Sequence, residues 1–118
     1  RVAHSQVPPN TSKEVFTMIQ FIKNHTNDQI GIDQVAYHIG KSRAYITKKF
    51  RQEVGKTIRD YIMQCKLNEA RSLLRHSNMS IAEISNYLFF SSQSYFHNVF
   101  KKEYQMTPLE FRKQGINK

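Results

Sequence analysis

Apolar residues recur along this chain at three- and four-residue spacing, which is the pattern of helices that bury one face. The clearest early stripe consists of Val15, Met18, Ile19 and Ile22. It follows two polar residues, Thr11 and Ser12, either of which can cap a helix. Further helices are predicted over 33–38, from Ser42 to about Val54, over 57–77, and after caps at Ser80, at Ser91 or Ser92, and at Thr107. No strand is predicted, so the expected fold is all-α with about seven helices.

The chain also contains an internal repeat on the two sides of the long helix predicted over 57–77. At a spacing of 49, the matching positions are Val35 with Ile84 and Ile39 with Leu88. At a spacing of 50, they are Ser42 with Ser92, Tyr45 with Tyr95, Phe50 with Phe100, Thr57 with Thr107, and Tyr61 with Phe111. The second copy therefore carries one extra residue in its turn. Two copies are too few for a stacked solenoid.

Each copy consists of a short apolar-patterned run, a turn of Gly or Ser character, and a longer basic run with Tyr and Phe at helical spacing. This order is typical of a helix-turn-helix. We therefore predict two homeodomain-like helix-turn-helix subdomains, over 12–56 and 78–118, joined by a connecting helix over 57–77. Residues 1–11 contain paired prolines, and the sequence starts at Arg1 without an initiator Met. These residues are therefore predicted to be a linker from an upstream domain.

Charge indicates the class of partner. The 118 residues include 18 Lys and Arg against 9 Asp and Glu, a net charge of +9, which favours a polyanion. The single cysteine, Cys65, excludes an internal disulfide and is consistent with a reducing compartment. Its place on an apolar stripe favours a buried small residue over a nucleophile. No apolar run approaches the roughly 18 residues of a membrane span, so no membrane association is predicted and the cytoplasm is the expected compartment.

The third and sixth predicted helices carry groups that match base edges and phosphates on their polar flanks. These groups are Arg43, Thr47, Lys48 and Arg51 on the third helix, and Gln93, Ser94, His97, Asn98, Lys101 and Lys102 on the sixth. Arg and Lys donate to guanine, and Gln or Asn can bind adenine with two hydrogen bonds. For one such face alone, a solvated basic surface is about as good an explanation as DNA contact. Two equivalent faces favour duplex DNA.

Helix length supports the same prediction. A helix from Ile58 to His76 extends roughly 28 Å at 1.5 Å per residue, and successive major-groove faces of a duplex lie about 34 Å apart. A helix of this length, with one subdomain packed at each end, can place two recognition helices in consecutive grooves.

The run SIAEISNYLFFSSQSYFHNVFKKEYQMTPLEFR, from Ser80 to Arg112, closely resembles the signature of the AraC/XylS family of bacterial transcription regulators. The resemblance extends through ARSLL at 70–74 and the first repeat, so that it covers about Ser12 to Lys113. It implies a DNA-binding domain of an activator or repressor, usually attached to a separate effector or dimerisation domain. RNA polymerase is an expected further partner.

The resemblance also implies roles for individual residues. Base-contacting positions fall on Arg43, Ala44, Thr47, Lys48, Gln93, Ser94, His97 and Asn98. Phosphate contacts are expected from Lys41, Ser42, Arg51, Ser92, Lys101 and Lys102. The family usually has Gly at the position of Phe89 and often at Gln105, where a non-glycine residue forced to positive φ stores roughly 1–3 kcal/mol of strain. Asn98 replaces a frequently basic residue.

Other interpretations remain open at this point. Structured RNA or an acidic membrane surface would also attract a basic chain, and a nuclease would need clustered carboxylates, whereas the nine acids are scattered. The five histidines have no metal-ligand spacing, so no catalytic residue, metal or cofactor is predicted. Tyr45 and Tyr95 can either stack on nucleic acid or pack between helices, and core packing is the favoured interpretation.

Overall fold

The computed structural model describes residues 7, 8 and 10–116, and over those residues the chain forms seven α-helices and no strand. The helices are α1 (Lys13–Asn24), α2 (Ile32–Ile39), α3 (Arg43–Val54), α4 (Ile58–His76), α5 (Ile81–Tyr87), α6 (Gln93–Tyr104) and α7 (Pro108–Ile116). The all-α prediction is confirmed. Helix α2 extends one residue beyond its predicted range at each end, and α7 continues two residues past Gln114.

The chain divides into two compact units, and the boundary falls inside α4 between Cys65 and Lys66. The first unit contains α1 to α3 and the start of α4, and the second contains the rest of α4 and α5 to α7. The linker predicted for residues 1–11 lies largely outside the described residues, although Val7 packs against the core of the first unit.

The core of the first unit is mainly aliphatic. The predicted α1 stripe is fully buried, since Val15, Met18 and Ile19 are 0 % exposed. Helix α3 contributes Ile46 and Phe50, which pack in the same cluster. The Phe50 ring meets Tyr61 of α4 edge to face, with centroids 5.5 Å apart, so four helices share one core.

A long-range hydrogen bond fixes the start of α1. The Ser12 hydroxyl caps the helix by accepting the Val15 N–H, at 3.2 Å. The N–H of Ser12 donates to Glu53 Oε1 of α3 at 2.8 Å, a bond that a residue of the same helix makes in an ordinary capping box. This donated hydrogen bond lowers the pKa of the Glu53 carboxyl, and Lys49 at 3.4 Å adds to the effect. Ser12 thus joins α1 to α3.

The second unit uses rings where the first uses aliphatic side chains. Phe96 and Phe100 of α6 are fully buried, and Phe100 packs on Phe111 of α7 with centroids 5.7 Å apart. The extra residue of the second repeat is in the turn between α5 and α6, where Phe90 is buried and lies 4.8 Å from Phe96. The longer turn therefore contributes a ring to the core.

Helix α7 caps the end of α4. The Arg112 guanidinium donates to the carbonyl oxygens of Leu74 at 2.9 Å, Ser77 at 3.2 Å and Leu73 at 3.4 Å. The Leu73 carbonyl oxygen also accepts the Ser77 N–H at 3.1 Å and the Ser77 hydroxyl at 2.8 Å. A cation at a helix C-terminus interacts favourably with the macrodipole as well. Arg112 and Ser77 thus share the satisfaction of the carbonyl groups at the end of α4.

Left-handed residues end the helices at equivalent places in both units. Gly40 and Gly55 have φ of 79° and 86°, the left-handed conformation in which glycine commonly ends a helix. In the second unit the equivalent residues are Phe89 and Gln105, with φ of 59° and 63°. The strain considered for these two positions is therefore present in the fold.

We predict that Tyr61→Phe raises the free energy of unfolding by about 1 kcal/mol, because the buried hydroxyl of Tyr61 has no hydrogen-bond partner among the described residues. The repeat supports the change, since the equivalent residue is Phe111. Chemical denaturation at pH 7 measures the effect, with Tyr61→Ala as the destabilising control. A variant less stable than the wild type at pH 7 would show that the hydroxyl contributes favourably.

The same variant changes the pH dependence of folding. Burial raises the pKa of Tyr61 to about 12, whereas the unfolded value is 10.0. The unfolded chain therefore loses this proton first, and the wild type should lose stability as pH rises from about 10 towards 12. Tyr61→Phe should show a smaller loss over that range.

Candidate nucleic-acid interface

The predicted contact residues of α3 are all exposed, and the helix is oriented by two buried anchors. Ile46 and Phe50, one turn apart, are both 0 % exposed. The remaining positions of interest are at the surface: Arg43, Ala44, Thr47, Lys48 and Arg51. Packing in the first unit thus leaves this set free to meet a partner, because the anchors fix which side of α3 faces inward.

Helix α6 has the same burial pattern. Phe96 and Phe100 are the buried anchors. The four predicted base-contacting residues are brought together in one shallow cleft of about 360 Å³, lined by Gln93, Ser94, His97 and Asn98. Lys101 and Lys102 are exposed further along the helix. The lining supplies amide, hydroxyl and imidazole groups, which can both donate and accept hydrogen bonds.

Ser42 and Ser92, the predicted phosphate contacts at the two helix starts, are the N-caps of α3 and α6. Ser42 Oγ accepts the Tyr45 N–H at 3.1 Å, and Ser92 Oγ accepts the Tyr95 N–H at 3.0 Å. Each hydroxyl acts as an acceptor in this bond, so its own proton remains able to donate to an anion. The positive end of each helix dipole lies at the same place.

An ion pair links the start of α3 to the preceding helix. Arg43 Nε lies 3.2 Å from Asp33 Oδ1, and the two side chains are 65 % and 72 % exposed. Sequence reasoning missed Asp33 because it belongs to the first turn of α2, ten residues before its partner. The equivalent residues of the second unit are Ala82 and Gln93, which cannot form an ion pair.

Tyr45 and Tyr95 are surface residues, so the favoured prediction of core packing was wrong. They are 41 % and 40 % exposed. The Tyr45 hydroxyl donates to Glu14 Oε1 at 2.6 Å, and this bond raises the pKa of Tyr45. Lys41 Nζ lies 5.2 Å from the centre of the Tyr45 ring. A polar tip and a nearby ammonium group explain why this ring stays at the surface.

Lys66 was also missed, although its spacing gives a signal. It falls in the four-residue series Ile62, Lys66, Ala70 and Leu74, whose other members are apolar. The residue is only 6 % exposed, and its Nζ donates to the Leu88 carbonyl oxygen at 2.8 Å. This bond ties α4 to the turn that precedes α6.

Cys65, predicted to be buried, is partly exposed.

Charge is available on both helices. Among the described residues, Lys48, Arg51 and Lys102 have no ion-pair partner. Within residues 7, 8 and 10–116, no group of three or more His, Cys, Asp or Glu side chains is arranged to hold a metal ion. The helices of this same part of the chain include none with the length and apolar character needed to cross a membrane.

Comparison with known proteins gives consistent results. A family model described as "Helix-turn-helix domain" matches residues 35–114. The xylose operon regulatory protein of Escherichia coli K12 is 43% identical over 102 residues, which are 86% of this chain and 26% of that protein. The chain therefore spans about a quarter of the length of this relative.

Solved structures share the fold. The structure titled as the xylose-binding transcription activator XylR has a TM-score of 0.80 at 42% identity, over 89% of this chain and 28% of that one. The DNA-binding domain of AdpA, solved in complex with a target DNA, has a TM-score of 0.81 over 87% of this chain and 93% of that one. At 19% identity, the second likeness concerns the fold alone.

We predict that two substitutions distinguish the helix-capping role of Ser42 from its proposed phosphate contact. Ser42→Ala should lower the free energy of unfolding by about 1 kcal/mol, because the cap is lost. Ser42→Asp keeps a good cap and should stay within about 0.5 kcal/mol of the wild type. Its carboxylate, however, should weaken duplex binding roughly threefold to tenfold through repulsion of phosphate. Thermal denaturation and fluorescence anisotropy measure the two effects.

Thr57→Asp is the matched control for this experiment. Thr57 caps α4 by accepting the Asp60 N–H at 3.0 Å, so the substitution adds the same charge at the same kind of cap. Thr57 is outside the predicted contact set, and its variant should bind DNA with a smaller loss. Equal binding by Ser42→Asp and the wild type would remove Ser42 from the phosphate contacts.

Proposed function

The chain belongs to the AraC-type helix-turn-helix family, the DNA-binding domains of transcription regulators, and from that premise we propose that α3 and α6 enter consecutive major grooves of a bipartite promoter site. The single observation that carries the proposal is the duplicated exposed face. Both recognition helices have twelve residues, start with a Ser cap and bury aromatic or aliphatic anchors, leaving polar residues exposed in both.

The first recognition helix, α3, has side chains that can contact guanine and thymine. Arg43 and Lys48 can donate to guanine O6 and N7 in the major groove. Ala44 and the methyl group of Thr47 can contact the thymine methyl group. We propose that these four exposed residues contact the bases of one half-site.

The second recognition helix carries a different set. Gln93 and Asn98 can each bind adenine through N6 and N7, and Ser94 and His97 can donate or accept at neighbouring base edges. These side chains line one cleft, so they can contact adjacent base pairs together. We propose this cleft as the contact surface for the other half-site.

Phosphate contacts complete the proposed interface. The contributors are Lys41, Ser42, Arg51, Ser92, Lys101 and Lys102, all of them exposed. Such contacts set position and orientation on the duplex without carrying sequence information. They also make binding depend on salt, because each neutralised phosphate releases counterions.

The proposed spacing rests on α4. This helix has 19 residues, which gives roughly 28 Å at 1.5 Å per residue. Consecutive major-groove faces of a duplex lie about 34 Å apart. Since α4 contributes residues to both units, its length and rotation are available to determine how the two recognition helices match the grooves.

The regulatory setting is part of the proposal. The relative named as a xylose operon regulatory protein is longer than this chain, which covers 26% of it. We propose that promoter activation involves contact with RNA polymerase, and that effector or dimerisation functions belong to other segments of such regulators. The proposed role involves no catalysis, and its location would be the cytoplasm, where bacterial promoters are transcribed.

We predict distinct roles for base and phosphate contacts. Selection of bound duplexes from a random library first gives the preferred site. Arg43→Ala and Lys48→Ala should each cost about 1–3 kcal/mol on that site and relax selectivity at one half-site. Lys102→Ala should weaken all duplexes alike and make the salt slope less steep by about 1. The wild-type slope of log K against log salt should be roughly −5 for six phosphate contacts.

Competition with RNA and anionic vesicles tests the partner class in the same assay. Duplex DNA should compete best. A salt slope shallower than about −2 would argue against contact in two grooves, and equal loss by Arg43→Ala on specific and random DNA would reassign Arg43 to phosphate. Magnesium-dependent nicking of a plasmid would indicate an enzyme instead.

We predict that α4 sets the register of the two contacts. Two Ala residues inserted after Cys65 lengthen the helix by about 3 Å and rotate everything beyond by about 200°. The boundary between the compact units falls at this point, so each unit keeps its own core. High-affinity binding to the selected site should be lost while weak contact through one unit remains.

A four-residue insertion at the same point is the matched control, because it changes the rotation by only about 40° while adding about 6 Å. Circular dichroism and thermal unfolding must show that both variants fold. A folded two-residue variant with wild-type affinity and footprint would show that α4 does not fix the spacing.

A further inference from the structure

The Asp33–Arg43 pair has a geometry that matters for recognition. The contact uses Arg43 Nε, which lies 3.2 Å from Asp33 Oδ1. Among the described residues, no other ion pair or side-chain hydrogen bond holds the Arg43 guanidinium. The edge of the guanidinium that faces away from Asp33 is therefore available, at the first residue of α3.

A guanidinium held in this way is well suited to guanine. The group is planar and presents five donors in a fixed fork, so fixing the Nε edge also fixes the direction of the two Nη groups. Guanine O6 and N7 accept two parallel hydrogen bonds from such a pair. An Arg side chain without a partner must lose its rotamer freedom on binding, whereas a held one has lost part of it beforehand.

From this geometry we propose that Asp33 is a positioning residue for base recognition, which holds Arg43 so that it selects one base pair. The inference rests on the proposed function of α3 as a base-contacting helix. It extends that function by assigning a specificity role to an acidic residue outside the recognition helix.

Stability is a poor explanation for this pair. Both side chains are mostly exposed, at 65 % and 72 %, and exposed ion pairs contribute little to folding. An acid at this place also opposes DNA binding, because it lies beside the surface that would meet phosphates. A carboxylate that weakens general attraction while orienting one donor increases discrimination between sequences.

The second unit provides an internal contrast. Gln93 stands at the position of Arg43, and Ala82 stands at the position of Asp33. The Gln93 side chain is shorter than that of Arg43 and carries no charge, and it lines the cleft beside Ser94 and His97. The acidic partner occurs in the unit that has a long charged side chain to orient, and not in the other.

The test is a double-mutant cycle on Asp33 and Arg43. Four proteins are compared: the wild type, Asp33→Ala, Arg43→Ala and the double variant. Each is titrated by fluorescence anisotropy with the selected duplex, with a random duplex, and with a series of duplexes that change one base pair at a time. Circular dichroism and thermal unfolding confirm that all four fold alike.

Two opposite changes are expected for Asp33→Ala. Affinity for the random duplex should rise roughly twofold to fivefold, because a negative charge near the phosphates is removed. Discrimination should fall roughly fivefold, and only at the base pair that Arg43→Ala also affects. In the Arg43→Ala background, Asp33→Ala should leave the pattern of base preferences unchanged, since the residue acts through Arg43.

Asp60→Ala is the matched control. Asp60 is an exposed acid of α4 in the same unit, and its loss changes the net charge by the same amount. This variant should bind all duplexes slightly more tightly and keep every base preference. A fall in discrimination with Asp60→Ala equal to that with Asp33→Ala would reduce the effect to net charge and overturn the proposal.

The remaining outcomes separate this inference from the proposed function. If the wild type does not distinguish the selected from the random duplex, the proposed function fails and the role of Asp33 fails with it. If the wild type discriminates and Asp33→Ala keeps every base preference, only the role of Asp33 is overturned. If Asp33→Ala changes preferences in the Arg43→Ala background as well, Asp33 contacts a base itself and is not a positioning residue.

Discussion

Two buried side chains, one helical turn apart, hold each recognition helix, and the presentation of every proposed contact depends on them. In α3 they are Ile46 and Phe50, and in α6 they are Phe96 and Phe100. Because side chains four residues apart lie on the same face, this pair determines the rotation of the helix about its axis. A one-residue shift in either pair would turn polar contact residues towards a core.

Most of the fold could be predicted from the sequence because it depends on local rules. Caps at Ser12, Ser42 and Ser80 and the left-handed glycines require only neighbours in the chain. The exposure of the candidate contact residues follows from helical period in the same way. Their role in DNA contact, in contrast, stays a prediction.

Contacts between the ends of side chains distant in sequence could not be predicted. Tyr45 and Glu14 are 31 residues apart, and Ser12 and Glu53 are 41 apart. Helical period gives the direction in which a side chain leaves its helix, but the partner depends on how the helices pack. This explains why Tyr45 was wrongly expected in a core.

At two helix ends the second unit accepts local strain that the equivalent glycines of the first unit, Gly40 and Gly55, avoid. Phe89 and Gln105 have positive φ, a conformation that is costly for residues with a Cβ. Two bonds stabilise the backbone there: Lys66 Nζ donates to the Leu88 carbonyl oxygen, and Gln105 Nε2 donates to that of Lys102 at 2.9 Å. The Phe90 ring, buried beside Phe96, adds apolar burial in the turn that contains Phe89. Packing of the whole unit therefore overrides the local preference for glycine.

The two units share the same order of helices and the same buried anchor positions, but the exposed side chains of α3 and α6 differ. This difference has a consequence for recognition. Dimeric helix-turn-helix proteins present two identical helices and therefore match sites with two-fold symmetry. Here one chain carries both proposed recognition helices: α3 begins with Arg43 paired with Asp33, whereas α6 presents the cleft that contains Gln93. If both helices contact DNA as proposed, two unlike helices in a fixed chain order would match a site without symmetry. On the proposed function, such a domain binds its promoter in one direction only, so a polymerase-contacting surface would always face the same way along the DNA.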